Sequence, residues 1–165
     1  WSTFEFDFSR APIFYPLKNL TIEQGNFAST RFYGEADFLG AKFTRDAYFT
    51  DAEFTGNAHF WGAEFTGNAE FRNATFTGKT RFNAAYFKKS APTFADAPGS
   101  ARFSAQVDPQ DYRFEAHPES PHGFSCGTAK LLNRTFVLPL GAVLYDPDSW
   151  DEEKQDYTRV SEPAQ

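Results

Sequence analysis

The sequence predicts an all-β solenoid, and three observations predict it. From Phe27 to Phe87, Phe recurs at steps of five and six residues in alternation. A small residue stands two positions before each of these Phe residues, and Gly returns every 11 residues at Gly56, Gly67 and Gly78. The repeat therefore has a period of 11 residues, as in GNAHFWGAEFT, GNAEFRNATFT and GKTRFNAAYFK. A fixed period of short units is typical of proteins that stack identical structural repeats.

Each triplet of a small residue, a variable residue and Phe is predicted to be a short strand. Side chains alternate between the two faces of a strand, so the small residue and Phe share one face. The variable residue, which is mostly charged or polar, faces solvent. The predicted core is a set of twelve phenylalanines: Phe27, Phe32, Phe38, Phe43, Phe49, Phe54, Phe60, Phe65, Phe71, Phe76, Phe82 and Phe87.

The recurring glycines argue against a helical repeat. A period of 11 residues also fits a helix of about 3.67 residues per turn. However, each Gly inside a helix costs roughly 1 kcal/mol. Gly-Asn pairs favour turns, because both residues tolerate a positive φ. Each unit is therefore interpreted as strand, corner, strand and a wider Gly-Asn corner.

The pentapeptides AEFTG, AHFWG, ATFTG and ADFLG place a small residue, a variable residue and Phe before two further residues. In this, residues 25–88 resemble the Phe-centred branch of the pentapeptide-repeat family. The resemblance implies a right-handed quadrilateral β-helix, with four short faces per coil and Phe stacked on Phe along the axis. The sixth residue in alternate steps departs from the family pattern. It predicts a wider corner and a coil of two full repeats, 22 residues, such as the step from Phe38 to Phe60.

Two coil geometries fit the period. A four-sided coil of two repeats places Phe38, Phe60 and Phe82 in one ladder, and Phe43, Phe65 and Phe87 in another. A flat two-sided coil of a single repeat instead stacks every second Phe, from Phe27 through Phe38 and Phe49 to Phe82. We favour four sides because the resemblance implies them and because two facing Phe sheets leave a thin core.

The organisation predicted for the chain has three parts. Residues 1–24 are an N-terminal cap, and residues 25–115 are the solenoid, regular over 25–88 and degenerate over 89–115. Residues 116–165 are a loop, an aliphatic cap or hairpin, and an acidic tail. Caps are expected because the open ends of a solenoid expose unpaired strand edges.

Finer expectations apply to the two flanks. In the N-terminal cap, the alternation of Phe4, Phe6 and Phe8 predicts a strand, and Phe14 and Leu20 are taken as degenerate rungs. Worn rungs are expected later in the chain at Phe94, Phe103 and Phe114. The spacing of Ser149 and Glu152 predicts a short helix near 150–158, and the last residues are expected to be loose.

The charge distribution bears on nucleic-acid partners. The chain carries a net charge of −6, yet residues 27–89 hold seven acids and eight bases, whereas residues 108–165 hold eleven acids and five bases. The resemblance implies that a pentapeptide-repeat protein can mimic DNA and bind DNA gyrase. Such a mimic needs a dense acidic strip in place of phosphates, and the repeats lack one. There is also no basic patch to favour direct nucleic-acid binding.

One cluster of chemically reactive residues occurs, in HPESPHGFSC. His117, His122 and Cys126 suggest a metal site or the Cys–His nucleophile of a hydrolase, but their spacing matches no closed ligand set. A single Cys also excludes a disulfide within the chain. We therefore expect no catalytic, metal or cofactor site, and a protein that is not an enzyme.

Two surface patterns suggest further functions. Thr44, Thr55, Thr66 and Thr77 recur every 11 residues, and on a two-sided coil they would form an exposed ladder like that of an ice-binding solenoid. The charged residues before the neighbouring Phe disfavour this function. Asn-X-Thr glycosylation triplets also begin at three asparagines, Asn19, Asn73 and Asn133.

The favoured function is therefore a rigid, non-enzymatic module for protein interaction or structure. The candidate partner surface consists of six outward residues: Tyr48, Glu53, His59, Trp61, Glu64 and Glu70. The aliphatic segment 130–145 suggests a homodimer contact. No apolar run is long enough to predict a membrane-spanning helix, and a cytoplasmic location is favoured, although a leader ahead of Trp1 could be missing.

Overall fold

The computed structural model describes residues 5–96 and 99–165, so Phe4 lies outside the described part. Short strands dominate this part of the chain, and two 3₁₀ turns occur at Pro109–Asp111 and Pro147–Ser149. No helix within the described ranges is long and apolar enough to cross a membrane.

The first fifteen strands are two or three residues long because a corner follows each Phe. In chain order they are β1 (Glu5–Asp7), β2 (Pro12–Ile13), β3 (Thr21–Ile22), β4 (Gln24–Asn26), β5 (Arg31–Phe32), β6 (Ala36–Asp37), β7 (Lys42–Phe43), β8 (Ala47–Tyr48), β9 (Glu53–Phe54), β10 (Ala58–His59), β11 (Glu64–Phe65), β12 (Ala69–Glu70), β13 (Thr75–Phe76), β14 (Thr80–Arg81) and β15 (Tyr86–Phe87).

Nine further strands follow and build the C-terminal part. They are β16 (Ala95–Asp96), β17 (Gly99–Ser100), β18 (Arg102–Ser104), β19 (Tyr112–Arg113), β20 (Cys126–Leu131), β21 (Arg134–Pro139), β22 (Val143–Tyr145), β23 (Trp150–Asp151) and β24 (Asp156–Tyr157).

The strands form four parallel sheets, one for each side of a coil. Sheet 1 has the order β1-β4-β8-β12, and sheet 2 has the order β2-β5-β9-β13-β18-β22. Sheet 3 has the order β6-β10-β14-β19, and sheet 4 has the order β3-β7-β11-β15. The chain visits the four sheets in turn and then returns to sheet 1, so the protein is a four-sided β-solenoid.

The register confirms a coil of two full repeats. Ala36 pairs with Ala58, and Ala58 pairs with Thr80 on the next coil. The two-sided alternative is wrong, because Phe27 stacks on Phe49 and meets Phe38 edge to face. The rungs between Phe27 and Phe49 lie on the other three sides, since the chain turns at every corner.

Phenylalanine ladders fill the interior. All twelve repeat phenylalanines are buried. Phe38 stacks on Phe60 with ring centroids 4.9 Å apart, and Phe60 stacks on Phe82 at 4.6 Å. Rings of the opposite ladder meet these edge to face, as Phe38 meets Phe49 at an interplanar angle of 89°. Stacked and perpendicular contacts are the two arrangements that aromatic quadrupoles favour.

The N-terminal coil uses other residues as rungs than the sequence predicts. Ile13 lies in register with Phe32, and Ile22 lies in register with Phe43. Phe14 and Leu20 are wrongly predicted as rungs, because their side chains are 63% and 46% exposed. Phe14 follows the inward Ile13 directly, so strand alternation turns it outward.

The predicted worn rungs are confirmed at the C-terminal end of the ladders. Phe94 stacks on Phe71 with centroids 5.0 Å apart, and Phe103 stacks on Phe76 at 4.7 Å. Phe114 stacks on Phe82 at 5.8 Å. The degenerate segment therefore extends the same interior.

An antiparallel hairpin of β20 and β21 covers this end of the ladders. Phe136 and Leu138 are fully buried and belong to the same apolar core as the repeat phenylalanines. Val137 lies between them and is 56% exposed, as alternation in a strand requires. The hairpin thus supplies an apolar inner face to the last coil.

The segment after residue 146 differs from its prediction. Instead of a helix near 150–158, β23 and β24 form an antiparallel hairpin in which Trp150 pairs with Tyr157. The Ser149–Glu152 spacing alone favours a helix start. The hairpin forms instead because it lets Tyr157 pack on Tyr145, with ring centroids 4.4 Å apart. The final residues are not loose either, since the amide and carbonyl of Gln165 both pair with the backbone of Thr128.

Positive φ angles recur at the tight corners, which are the five-residue steps between repeat phenylalanines. Six residues that each stand two positions after a repeat Phe have φ between 56° and 64°: Ser29, Gly40, Asp51, Gly62, Asn73 and Ala84. The corner closes with a backbone hydrogen bond such as that from the amide of Ala41 to the carbonyl of Phe38, at 3.0 Å.

The recurring Gly of the wide corner has a different role from the one predicted. Gly56 is not among the residues with positive φ. A Cβ atom at Gly56 would lie 2.5 Å from the carbonyl oxygen of Gly34 on the preceding coil, so Gly is needed for space. The Asn after it also acts between coils, because Oδ1 of Asn57 accepts a hydrogen bond from the amide of Lys79 at 3.0 Å.

Candidate functional site

The solenoid places the six predicted surface residues on different sides. The variable residue of each strand points outward from its own sheet, and consecutive strands along the chain lie on neighbouring sheets. Tyr48 and Glu70 lie on sheet 1, Glu53 on sheet 2, His59 on sheet 3 with Trp61 at its following corner, and Glu64 on sheet 4. Only residues about one coil apart, or directly beside each other, can therefore form a common patch.

Opposite charges face each other on adjacent coils. Arg31 and Glu53 approach to 3.1 Å on sheet 2, and on sheet 4 Lys42 lies 3.8 Å from Glu64. On sheet 3, Nε2 of His59 lies 3.4 Å from Glu35. Exposed pairs of this kind contribute only about 0–1 kcal/mol each. Their effect on the surface is to place opposite charges side by side on sheets 2 and 4.

The loop that carries His117, His122 and Cys126 does not bring these side chains together as a nucleophile and its base. Nδ1 of His117 accepts a hydrogen bond from the amide of Glu119 at 3.0 Å. Burial raises the pKa of the Cys126 thiol, which lowers the thiolate fraction at neutral pH. Among the hydrogen bonds of residues 5–96 and 99–165, none joins Cys126 to His117 or His122.

The four threonines do not form one ladder. Thr55 and Thr77 follow strands of sheet 2, whereas Thr44 and Thr66 follow strands of sheet 4. The hydroxyl of Thr55 donates to the carbonyl of Phe32 on the preceding coil, at 2.7 Å. The four-sided coil therefore splits the Thr row that an ice-binding surface would need.

The glycosylation triplets lie at turns. Asn19 and Asn73 have φ of 57° and 56° at corners of the coil, and Asn133 has φ of 60° in the β20–β21 turn. Asn133 is exposed. Turn geometry thus accounts for all three asparagines, since Asn tolerates the left-handed conformation.

Two exposed apolar side chains, the Leu39–Trp61 pair, lie side by side next to sheet 3. The amide of Gly40 donates to the carbonyl of Trp61 at 2.9 Å, which fixes Leu39 and Trp61 at equivalent corners of consecutive coils. Their side chains are 43% and 53% exposed. The corner is also braced by Asp37, whose Oδ1 accepts from the amide of Leu39 at 3.0 Å.

A cleft lies between sheet 2 and the β23–β24 hairpin and is called the sheet 2 cleft. Its volume is about 670 Å³. Sequence reasoning singled out Glu53, Thr55 and Thr77 separately but could not group them with the other lining residues, because the two walls come from distant parts of the chain. The lining consists of Arg31, Glu53, Thr55, Thr75, Thr77, Arg102, Trp150, Gln155 and Tyr157.

Polar and aromatic contacts hold the hairpin against the sheet. Nη1 of Arg102 donates to Oδ1 of Asp156 at 3.0 Å, and Nη2 donates to the hydroxyl of Thr75 at 3.2 Å. The guanidinium of Arg102 also lies over the ring of Tyr157, 5.7 Å from its centroid. These contacts fix the β23–β24 hairpin, which forms one wall of the cleft, relative to the coils.

Tyr145 links the two walls of the sheet 2 cleft, because it contacts Thr77 on the sheet and Tyr157 on the hairpin. Its hydroxyl lies 3.0 Å from the hydroxyl of Thr77, and its ring packs on Tyr157. Burial raises the pKa of Tyr145 to about 12, and burial also raises the pKa of Tyr157. Both phenols therefore stay protonated to a higher pH than an exposed Tyr does.

Comparison with known proteins agrees with the coils. A family model described as pentapeptide repeats, in 9 copies, matches residues 27–75. A search of curated proteins found no match, and neither did a search of solved structures. In the described part of the chain, no group of three or more His, Cys, Asp or Glu residues is placed to hold a metal ion. The matched stretch accounts for the repeats, whereas the β23–β24 wall of the sheet 2 cleft lies outside it.

Proposed function

Because the chain belongs to the pentapeptide-repeat proteins, we propose that it is a non-catalytic module that presents a rigid surface to a protein partner. The solenoid holds outward side chains at steps of about 4.8 Å, the spacing between strands. A surface whose side chains are already ordered loses little conformational entropy on binding. The fold would thus act as a fixed support for its outward residues.

The observation that carries this proposal is the Leu39–Trp61 pair. Trp is strongly enriched among the residues that dominate binding energy at protein interfaces. Here an exposed Trp and an exposed Leu lie beside each other on consecutive coils. The neighbouring residues Asp37 and His59 are polar and half-buried. An apolar centre with a polar rim is the usual composition of a protein interface.

The partner that fits this patch is a protein with an apolar pocket. Trp61 would enter the pocket and Leu39 would pack against its wall. The rim offers both signs of charge, since Arg81 lies 3.3 Å from Asp111, and the carboxylate of Glu35 lies 3.4 Å from the imidazole of His59. A mixed rim gives orientation and specificity more than affinity.

The other functions have less support. A DNA mimic needs successive acidic residues, yet the ion pairs between coils alternate the charge on sheets 2 and 4. Ice binding would need one row of threonines, and the coil divides them between two sides. Homodimerisation through segment 130–145 is weakened by the burial of Phe136 and Leu138 in the cap.

Site-specific photocrosslinking in the protein's native cells tests the proposal. A benzophenone amino acid at position 61 should give one discrete crosslinked protein, and the same group at position 64 on sheet 4 should not. Leu39→Asp should abolish the crosslink at position 61. The matched control Lys42→Asp changes an exposed residue on the neighbouring side and should leave it intact.

Direct binding then completes the test. With the identified partner purified, Trp61→Ala should weaken binding by at least about tenfold, as loss of a binding anchor does. Equal crosslinking at positions 61 and 64, or unchanged affinity of the Trp61→Ala variant, would refute the proposal. Circular dichroism should show that each variant keeps the fold, because both side chains are exposed.

A further inference from the structure

We propose that the sheet 2 cleft binds a neutral, polyhydroxylated ligand, that is, a saccharide chain. The cleft lies on a different sheet from the Leu39–Trp61 pair, so this inference is independent of the protein partner. It rests on the charge balance of the cleft, on its aromatic wall and on its fixed polar groups.

The charges in the cleft are already matched within the protein. Arg31 pairs with Glu53 at 3.1 Å, and Arg102 pairs with Asp156 at 3.0 Å. Each guanidinium thus has a carboxylate beside it, and the cleft carries no surplus positive charge for a phosphate or a carboxylate ligand. An anion would have to displace a carboxylate from Arg, so the balance favours an uncharged ligand.

One wall of the cleft is aromatic. Trp150 is 43% exposed and meets the ring of Tyr157 at a centroid distance of 5.1 Å and an interplanar angle of 70°. Such rings offer a flat apolar surface together with a polar N–H or O–H at the edge. A pyranose ring matches this surface, because one of its faces carries mainly C–H groups and its rim carries hydroxyls.

The opposite wall supplies hydrogen-bonding groups on successive coils. Glu53, Thr75 and Arg102 stand in register on β9, β13 and β18. Thr55 adds a hydroxyl to this wall, and Gln155 adds an amide from the hairpin. Sugar hydroxyls both donate and accept hydrogen bonds. The lining offers guanidinium and amide donors, a carboxylate acceptor and hydroxyls, which can do either. The ion pairs and the Arg102–Thr75 hydrogen bond hold several of the groups in place before the ligand arrives.

An extended peptide fits the cleft less well. Peptides that bind to sheets usually add a strand at a free edge through main-chain hydrogen bonds. The strands that face the cleft, β9 and β13, are paired on both sides within sheet 2. The backbone groups of the sheet 2 wall are therefore occupied, and this wall contacts the ligand through side chains alone.

Calorimetric titration of the full chain with a panel of soluble oligosaccharides tests the proposal. The panel contains neutral glucans, mannans, galactans and xylans, beside anionic polyuronates and sulfated glycans. At least one neutral oligosaccharide should bind, with little dependence on salt. Trp150→Ala should weaken this binding by about tenfold or more, and Glu53→Gln should weaken it severalfold.

Matched controls exist on the other sides of the solenoid. Trp61→Ala removes another exposed Trp, and Glu64→Gln removes an acid that pairs with Lys42 as Glu53 pairs with Arg31. Both should leave saccharide affinity unchanged. If Trp150→Ala disturbs the hairpin, as judged by its melting curve, Trp150→Phe replaces it, since it keeps a ring against Tyr157 and removes the indole N–H and part of the flat surface.

Three outcomes would overturn the inference. The first is that no neutral oligosaccharide in the panel binds. The second is that anionic glycans bind more tightly, with an affinity that falls as salt rises. The third is that variants in the cleft and the controls on the other sides bind equally well.

Discussion

The ring of Phe65 stacks on the ring of Phe43 with centroids 4.9 Å apart and planes at 5°, although the two residues belong to successive coils. On its other side, Phe65 stacks on Phe87 at 5.2 Å. A repeat Phe is therefore held mainly by residues two full repeats away in the chain. Stability in such a solenoid arises between coils, as is general for repeat proteins.

Truncation of this ring should be costly. Phe65→Ala removes a fully buried side chain and leaves a cavity between Phe43 and Phe87. We expect a loss of about 3–5 kcal/mol in the free energy of unfolding, measured by urea denaturation. The control Tyr15→Ala removes an aromatic side chain that is 77% exposed and should cost far less. A loss below about 1 kcal/mol for Phe65→Ala would contradict its place in the core.

Ala84 should be improved by glycine. It is the only Ala among the six corner residues with positive φ, at 57°, where a Cβ atom is strained. Ala84→Gly should stabilise the fold by about 0.5–1 kcal/mol, because relief of this strain exceeds the added chain entropy. The reverse change, Gly62→Ala, puts a Cβ at φ of 64° in open space and should destabilise by a similar amount. Thermal melts of the two variants should therefore shift in opposite directions.

Gly56 should be intolerant for a steric reason. In Gly56→Ala, the new Cβ would lie 2.5 Å from the carbonyl oxygen of Gly34 and 2.7 Å from its carbonyl carbon. Backbone of a neighbouring coil cannot move aside as a side chain can, so we expect a loss of about 1–3 kcal/mol or more. The comparison with Gly62→Ala separates the two roles of glycine. A smaller loss at position 56 than at position 62 would argue against close contact between coils.

The buried phenol of Tyr145 should make the protein sensitive to alkali. Burial raises its pKa from 10.0 to about 12, so the unfolded chain releases this proton more readily. The stabilisation is complete below pH 10 and is lost as the pH rises through 12. Between pH 8 and pH 11 the free energy of unfolding should fall by about 1 kcal/mol from this residue.

Urea denaturation at the two pH values checks this expectation. Tyr145→Phe should reduce the fall, although it also removes the hydrogen bond to Thr77 and so lowers stability at pH 8. Tyr112, whose pKa burial also raises, should contribute to the fall that remains. An unchanged pH dependence in Tyr145→Phe would show that the phenol is accessible to solvent.

Local rules suffice for much of the fold. Alternation within each triplet determines that Ala58 and Phe60 point inward while His59 stays at the surface. The steps of five and six residues predict a corner after every Phe. The worn rungs at Phe94, Phe103 and Phe114 follow from the same pattern. These features depend on residues a few positions apart, which a sequence displays directly.

The grouping of surface residues could not be predicted in this way. Tyr48, Glu53 and Glu64 are neighbours in the chain, yet they lie on three sides, because each corner turns the chain to another sheet. The same period allowed a two-sided coil, and only the pairing between coils distinguishes the two geometries. Contacts between coils are long-range, so no local spacing reports them.

The sequence by itself determined the interior of this protein: the repeat, the inward phenylalanines and the absence of helical coils. The tertiary structure decided the surface, including the Leu39–Trp61 pair and the cleft in which Arg102 meets Asp156 across the β23–β24 hairpin. The physical reason is that burial of Phe is dictated by strand alternation, whereas a site needs side chains from distant segments. The hairpin turned back onto sheet 2 because Tyr157 packs on Tyr145, which the capping spacing of Ser149 could not indicate.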